Sequence, residues 1–227
     1  MSALIQKILR RFSSHFGPNR VKDFGRGNRI ETPGAEFKKC RVQFFGNDNV
    51  IALAPGASAT DLEITILGSR NQIHLGANVS FLDGDIWCSS DDGIIRIGDQ
   101  TTISDATLTL TEPRMAITIG SDCLISWKVD VRCGDGHPIV DQATGEIINP
   151  ARPIVIGNHV WLAANVQILK GVTIGEHSVI GSHSLVTHDV PPHAVAAGVP
   201  AKVLRENITW HRSAGEAATT PVAPRGG

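Results

Sequence analysis

The sequence predicts an all-β solenoid, a parallel β-helix, and three observations carry that expectation. Ile156, Leu162, Ile168, Ile174, Ile180 and Val186 recur at a step of six. Two positions before them stand Ile154, Val160, Val166, Val172, Ser178 and Ser184, while Gly157, Ala163, Gly175 and Gly181 follow four of the six. Upstream, Leu53, Leu75, Ile97 and Ile119 recur at a step of 22, each followed by Ala or Gly. A period of six fits neither a helix nor a hairpin array. It fits a short strand with two inward side chains and a tight corner, three of which close one triangular coil. Glycine is expected at the corners because it relieves their steric cost.

Taken in order, Leu4, Ile5, Ile8, Leu9 and Phe12 with Lys7, Arg10 and Arg11 predict a short amphipathic helix over 3–12. It is expected to pack on the first coil or a neighbouring subunit, or to make weak contact with a membrane surface. The apolar run is too short for a signal peptide or a span. An irregular lead-in completes the N-terminal segment, 1–50, and coils are expected over 51–190. The inward set continues as Phe81 and Trp87, Ile103 and Thr109, Ile125 and Val131, so the four extra residues of each 22-residue coil fall after its third strand. From Ile119 to Ile156 the step is 37, one coil plus 19, and an inserted loop over 132–153 leaves from that same corner. Arg70, Asp91, Asp92, Glu112, Arg114, Asp135 and His137 are thereby expected along one edge of the prism. Pro191 and Pro192 stop the register, since proline removes a strand donor. A C-terminal extension over 191–212 is expected to hold a short helix at 201–211, and the Ala, Thr, Pro and Gly of 213–227 are expected to be disordered.

A length of 227 residues suits one elongated domain whose coils stack around a continuous core. A formal net charge of −1 argues against a nucleic-acid partner, which would call for a basic stripe. Cys40, Cys88, Cys123 and Cys133 show no paired spacing and read as reduced thiols of a cytoplasmic protein.

The stretches Asp135-Gly136-His137, Ile148-Asn149-Pro150, Val160-Trp161-Leu162-Ala163, Ile168-Leu169-Lys170-Gly171-Val172 and Ala197-Gly198-Val199-Pro200-Ala201-Lys202 add a second layer of pattern. With them the chain resembles the hexapeptide-repeat acyltransferases, in particular the branch that O-acetylates polysaccharides and sugars. The resemblance implies left-handed coiling, which is not derivable from the period. It also implies a homotrimer with acetyl-CoA bound between adjacent subunits, and an O-acetyltransferase acting on a glycan or activated sugar. An amino sugar or xenobiotic acceptor is the alternative within the class.

The chemistry calls for a base, because a sugar hydroxyl attacks a thioester slowly unless its proton is taken as the bond forms. His137 aligns with the family's catalytic histidine, and Asp135, Asp130 or a backbone carbonyl is available to fix its tautomer. Trp161 lies between inward Val160 and Leu162, so alternation points its ring outward, toward the acceptor or acyl group or against a neighbouring subunit. Glu112 and Asp91 are candidates to bind acceptor hydroxyls. For the donor, the resemblance points to the backbone near Ala164, Gly181 and Ser182, then to Thr187 and His188, with Lys202 and Arg205 supplying positive charge for phosphates. Neither a Walker loop nor a dinucleotide fingerprint is present. The same repeat carries zinc hydratases, and His159 and His177, 18 apart, stack one coil over the other; their corner positions are not those of a metal site, and no metal is expected. A purely structural solenoid would leave the inserted loop and Trp161 without a role.

Overall fold

The structure, a computed structural model, describes residues 18–213. Within them three sheets form the sides of a prism. Sheet A has eight strands, from Arg20–Asp23 to Leu185–Val186, and sheet B has seven, from Arg29–Glu31 to Thr173–Ile174. Sheet C has nine, from Glu36–Lys38 through Val195–Gly198 to Ala201–Arg205. The chain visits A, B and C in turn, so each strand pairs in parallel with its equivalent one coil earlier. Ile97 thus sits between Leu75 and Ile119, and Leu108 between Ile86 and Val131. The eight strands of sheet A count the turns of the solenoid.

Inward aliphatic side chains stack into one core. Ile51, Ile73, Ile95, Ile117 and Ile154 form a single file along sheet B, each 0% exposed. Burying such a side chain contributes about 1.5–3 kcal/mol relative to leaving it in water. Where the wider A-to-B corner leaves polar backbone inside the prism, an asparagine file satisfies it. Asn28 Oδ1 accepts from Asn49 N, Asn49 Oδ1 from Asn71 N and Asn71 Oδ1 from Gly93 N, at 2.8–2.9 Å. Asn49 and Asn71 are fully buried, and these bonds offset the cost of burying amides.

Several expectations are corrected. Coils begin at Arg20, not at 51: the step from Ile30 to Ile51 is 21, and the first coil is exposed or half-buried, so neither the 22-residue step nor an apolar pattern marks it. Trp87 and Thr109 face outward, because the corner from sheet C to sheet A is one residue shorter in those coils and puts Ile86 and Leu108 inside. The helix expected at 201–211 is absent among the described residues. Ala201–Arg205 is instead a strand antiparallel to Val195–Gly198, returned onto the edge of sheet C by a turn with Gly198 at φ 105°. Gly157 and Gly175 do not supply a left-handed corner, which falls two residues later on His159 and His177 (φ 51° and 59°). They are small because the next coil is close: a Cβ on Gly175 would lie 2.2 Å from Pro192 N. The helix expected over 3–12 lies outside the described residues, as does all of the 213–227 tail except Ser213.

Candidate active site

The inserted loop leaves sheet A after Val129–Arg132 and rejoins sheet B at Ile154–Ile156. Its base is closed by Arg152 N donating to Cys133 O at 2.9 Å, and its tip is a small hairpin bridged at Val140 and Ile147. Asp141 Oδ1 accepts from Ala143 N and Thr144 N at 2.8 Å, which turns the tip.

Asn149 organises the segment that carries His137. Its Nδ2 donates to His137 O at 3.0 Å and to Asp135 Oδ2 at 2.7 Å, while its Oδ1 accepts from Ile139 N. From the corner one coil further on, Lys170 Nζ donates to Asp135 Oδ2 and, at 3.0 Å, to Asn149 O. The hydrogen bond from Lys170, with that from Asn149, holds the Asp135 carboxyl below its ordinary pKa. The His137 backbone is therefore pinned, while its imidazole is exposed and has no hydrogen-bond partner among the described residues. Neither carboxylate named from the sequence meets the ring: Asp135 is engaged by Lys170 and Asn149, and Asp130 by Arg132.

Of the two other acidic residues, the structure brings only Glu112 to the loop. Its Oε1 accepts from Ala151 N at 3.2 Å. Asp91 lies a coil earlier on the same edge and is committed to that side, accepting from Ser69 N at 2.8 Å and from Arg70 Nη2 at 3.2 Å.

Trp161 starts the strand Trp161–Leu162 of sheet C, the side of the prism opposite the corner that carries His137. Trp161 is 37% exposed, and its ring tilts at 49° against that of Trp210, 6.0 Å away. Ala164 and Ser182 occupy the corner from sheet C to sheet A, and their backbone N–H groups make no hydrogen bond among the described residues. Gly181 differs, since its N–H donates to Ala196 O at 2.9 Å; its smallness is imposed by Ala197, whose Cβ would be 2.8 Å from an added one. A groove of about 360 Å³ bordered by Asn165, Gln167, His183 and Val199 runs beside these residues. Lys202 and Arg205 are exposed on the last strand of sheet C. Thr187 and His188, hydrogen-bonded to each other at 2.8 Å, lie at the A-to-B corner instead. The candidate residues thus fall into two groups on one chain, the histidine loop at the A-to-B corner and the small residues of the C-to-A corner, with Lys202 and Arg205 exposed on the last strand of sheet C.

Sequence reasoning quoted Asn149 and Lys170 within their stretches but gave them no role. The signal was available in the coil register, which places Lys170 on the corner beneath the loop. Among the described residues no cluster of three or more His, Cys, Asp or Glu is arranged to hold a metal ion, and no helix is long and apolar enough to cross a membrane.

Residues 153–188 match the family described as bacterial transferase hexapeptide (six repeats). A crystal structure of the polySia-specific acetyltransferase NeuO superposes with a TM-score of 0.80 at 35% identity, covering 87% of this chain and 90% of that one. The chain is 40% identical over 114 residues to a polysialic acid O-acetyltransferase of Escherichia coli O1:K1 / APEC, 50% of this chain and 37% of the relative. It is 48% identical over 92 residues to the galactoside O-acetyltransferase of Escherichia coli strain K12, 40% of this chain and 44% of the relative. The chain thus spans less than half the length of these two curated relatives.

Proposed function

We propose that this chain, which belongs to the bacterial hexapeptide-repeat transferase family, is an O-acetyltransferase that moves an acetyl group from acetyl-CoA to a hydroxyl of a glycan or activated sugar. The observation that carries this reading is the His137 loop, whose backbone is pinned by Asn149 and whose imidazole is left open to solvent. The likeness to acetyltransferases that act on polysialic acid and galactosides supports the acceptor class.

The donor supplies an activated acyl carbon. His137 takes the acceptor hydroxyl proton as the hydroxyl oxygen bonds to that carbon, and the imidazolium then returns a proton to the departing thiolate sulfur, so the base is regenerated. Asp135 acts as a positioning residue: ion-paired to Lys170, it anchors Asn149 and through it the His137 backbone. The corner fits the donor arm, because Ala164 and Ser182 present small side chains and unused N–H groups beside an open groove. Lys202 and Arg205 supply charge for phosphates. Glu112 and Trp161 face the acceptor. The coils are left-handed, and three subunits pack so that one subunit's His137 meets its neighbour's sheet C. Four buried free thiols suit a cytoplasmic setting.

Replacing His137 with Ala is expected to lower kcat by roughly two to four orders of magnitude with donor affinity nearly unchanged. CoA release with sugar acceptors measures the first, and calorimetric CoA titration the second. An alanine variant of near-normal turnover would sink the assignment.

A further inference from the structure

We infer that Trp127 is a specificity-determining residue that closes the acyl end of the donor channel and restricts the transferred group to acetyl; this rests on the reading above. The corners between sheets C and A stack in one file, because Asn165 N donates to Trp127 O at 2.8 Å and His183 N to Ala164 O at 2.9 Å. Lys128, Asn165 and His183 share a left-handed backbone, with φ of 57°, 60° and 58°. Trp127, Ala164 and Ser182, each one residue earlier, are therefore equivalent positions. Along this file two small side chains give way to an indole. Trp127 is 56% exposed and has no ring partner among the described residues, an arrangement that leaves a large apolar face for a substrate to cover.

The height of the indole gives it its role. Trp127 and His137 belong to one coil: Leu124–Ile125 precedes the corner with Trp127, Val129–Arg132 follows it, and the histidine loop comes next. In a trimer whose axis runs along the prism, equivalent coils lie at equal heights, so a thioester presented to one subunit's His137 is level with the neighbour's Trp127. A donor arm lying along Ser182 and Ala164 rises about 4.8 Å per coil and meets the indole where the acyl group must end. Acetyl stops short of it, and each further methylene is driven into the ring.

The test compares wild type with Trp127→Ala and Trp127→Phe, using acetyl-, propionyl- and butyryl-CoA, with a sialic acid polymer and a galactoside as acceptors. One methylene in an apolar pocket is worth roughly 10–200-fold in kcat/KM, so Trp127→Ala is expected to raise the butyryl-to-acetyl ratio by about tenfold or more. Trp127→Phe, which keeps most of the bulk, is expected to retain the acetyl preference and carries the comparison with Trp127→Leu if the alanine variant does not fold. An unchanged ratio in the smaller variants overturns the inference. So does an equal loss with all three donors, which would put the ring on the acceptor side. A wild type that consumes no acyl-CoA with either acceptor overturns the enzymatic reading itself and is recognised before any variant is made.

Discussion

Cys133 stands four residues before His137 and invites a mechanism in which the thiol carries the acyl group. Its surroundings argue otherwise. The side chain is 0% exposed, with its sulfur 3.4 Å from Thr109 O, and burial pushes its pKa above the ordinary thiol value, so little thiolate exists to attack. Cys133→Ser is expected to keep substantial turnover, and intact-mass spectrometry after mixing with acetyl-CoA alone is expected to show no stoichiometric acetyl adduct. A competent adduct at Cys133 would replace direct transfer with a two-step route. The loop that carries His137 was legible from the 37-residue step between Ile119 and Ile156. The hold on Asp135 was not, because Lys170 lies 35 residues away and approaches only through the stacking of one coil on the next.

The short stretch that ends the described chain shows how an element can be fixed by a few polar contacts. His159 Nδ1 lies 2.7 Å from Asp122 Oδ2, and its Nε2 lies 2.9 Å from Trp210 O. Trp210 Nε1 donates to His159 O at 2.7 Å, its ring stacks on His159 at 4.3 Å, and Arg212 Nη2 reaches Asp122 Oδ1 at 2.9 Å. His177 packs against His159 from the next coil, with His193 stacked beyond it. Partial burial opposes ionisation of Asp122, but hydrogen bonds from His159 and Arg212 outweigh it and hold the carboxyl below its ordinary pKa. A depressed carboxylate stabilises the fold above its unfolded pKa, about 4, and that contribution is lost as pH falls through the folded value. Acid titration is therefore expected to release Trp210 below about pH 4, read as a shift of tryptophan emission, before the core unfolds. Asp122→Asn is expected to remove that early step; an unchanged titration would count against the clamp. The strands of the coils were legible because apolar residues repeat, whereas this element has no repeat and its contacts span 51 and 90 residues. The strand Ala201–Arg205 was misread for a related reason: the turn at Gly198, rather than a periodicity, decides it.

At the scale of the whole molecule, three-sided coiling separates the two halves of the proposed site. His137 projects from the corner between sheets A and B, while Trp161, Ala164 and Ser182 belong to sheet C and its far corner. A triangular cross-section puts each corner opposite the remaining side, so no one chain closes the proposed site by itself. In the proposed trimer one repeated contact does so, each histidine loop facing its neighbour's sheet C. The repeat made the coils legible and hence the common edge of the insertions; the separation follows from the order in which the chain visits the sheets, which a six-residue period contains once the inserted corner is identified. The consequence is measurable with two inactive variants. His137→Ala lacks the base but keeps a sound sheet C, and Trp161→Ala keeps the base but lacks the aromatic wall. In randomly mixed trimers about a quarter of the interfaces join a sound loop to a sound sheet C, so mixing the two after subunit exchange is expected to restore about a quarter of wild-type activity. Variants mixed without exchange are expected to stay inactive, which controls for residual turnover. If exchange restores nothing, both half-sites belong to one chain and the shared-site assembly is wrong.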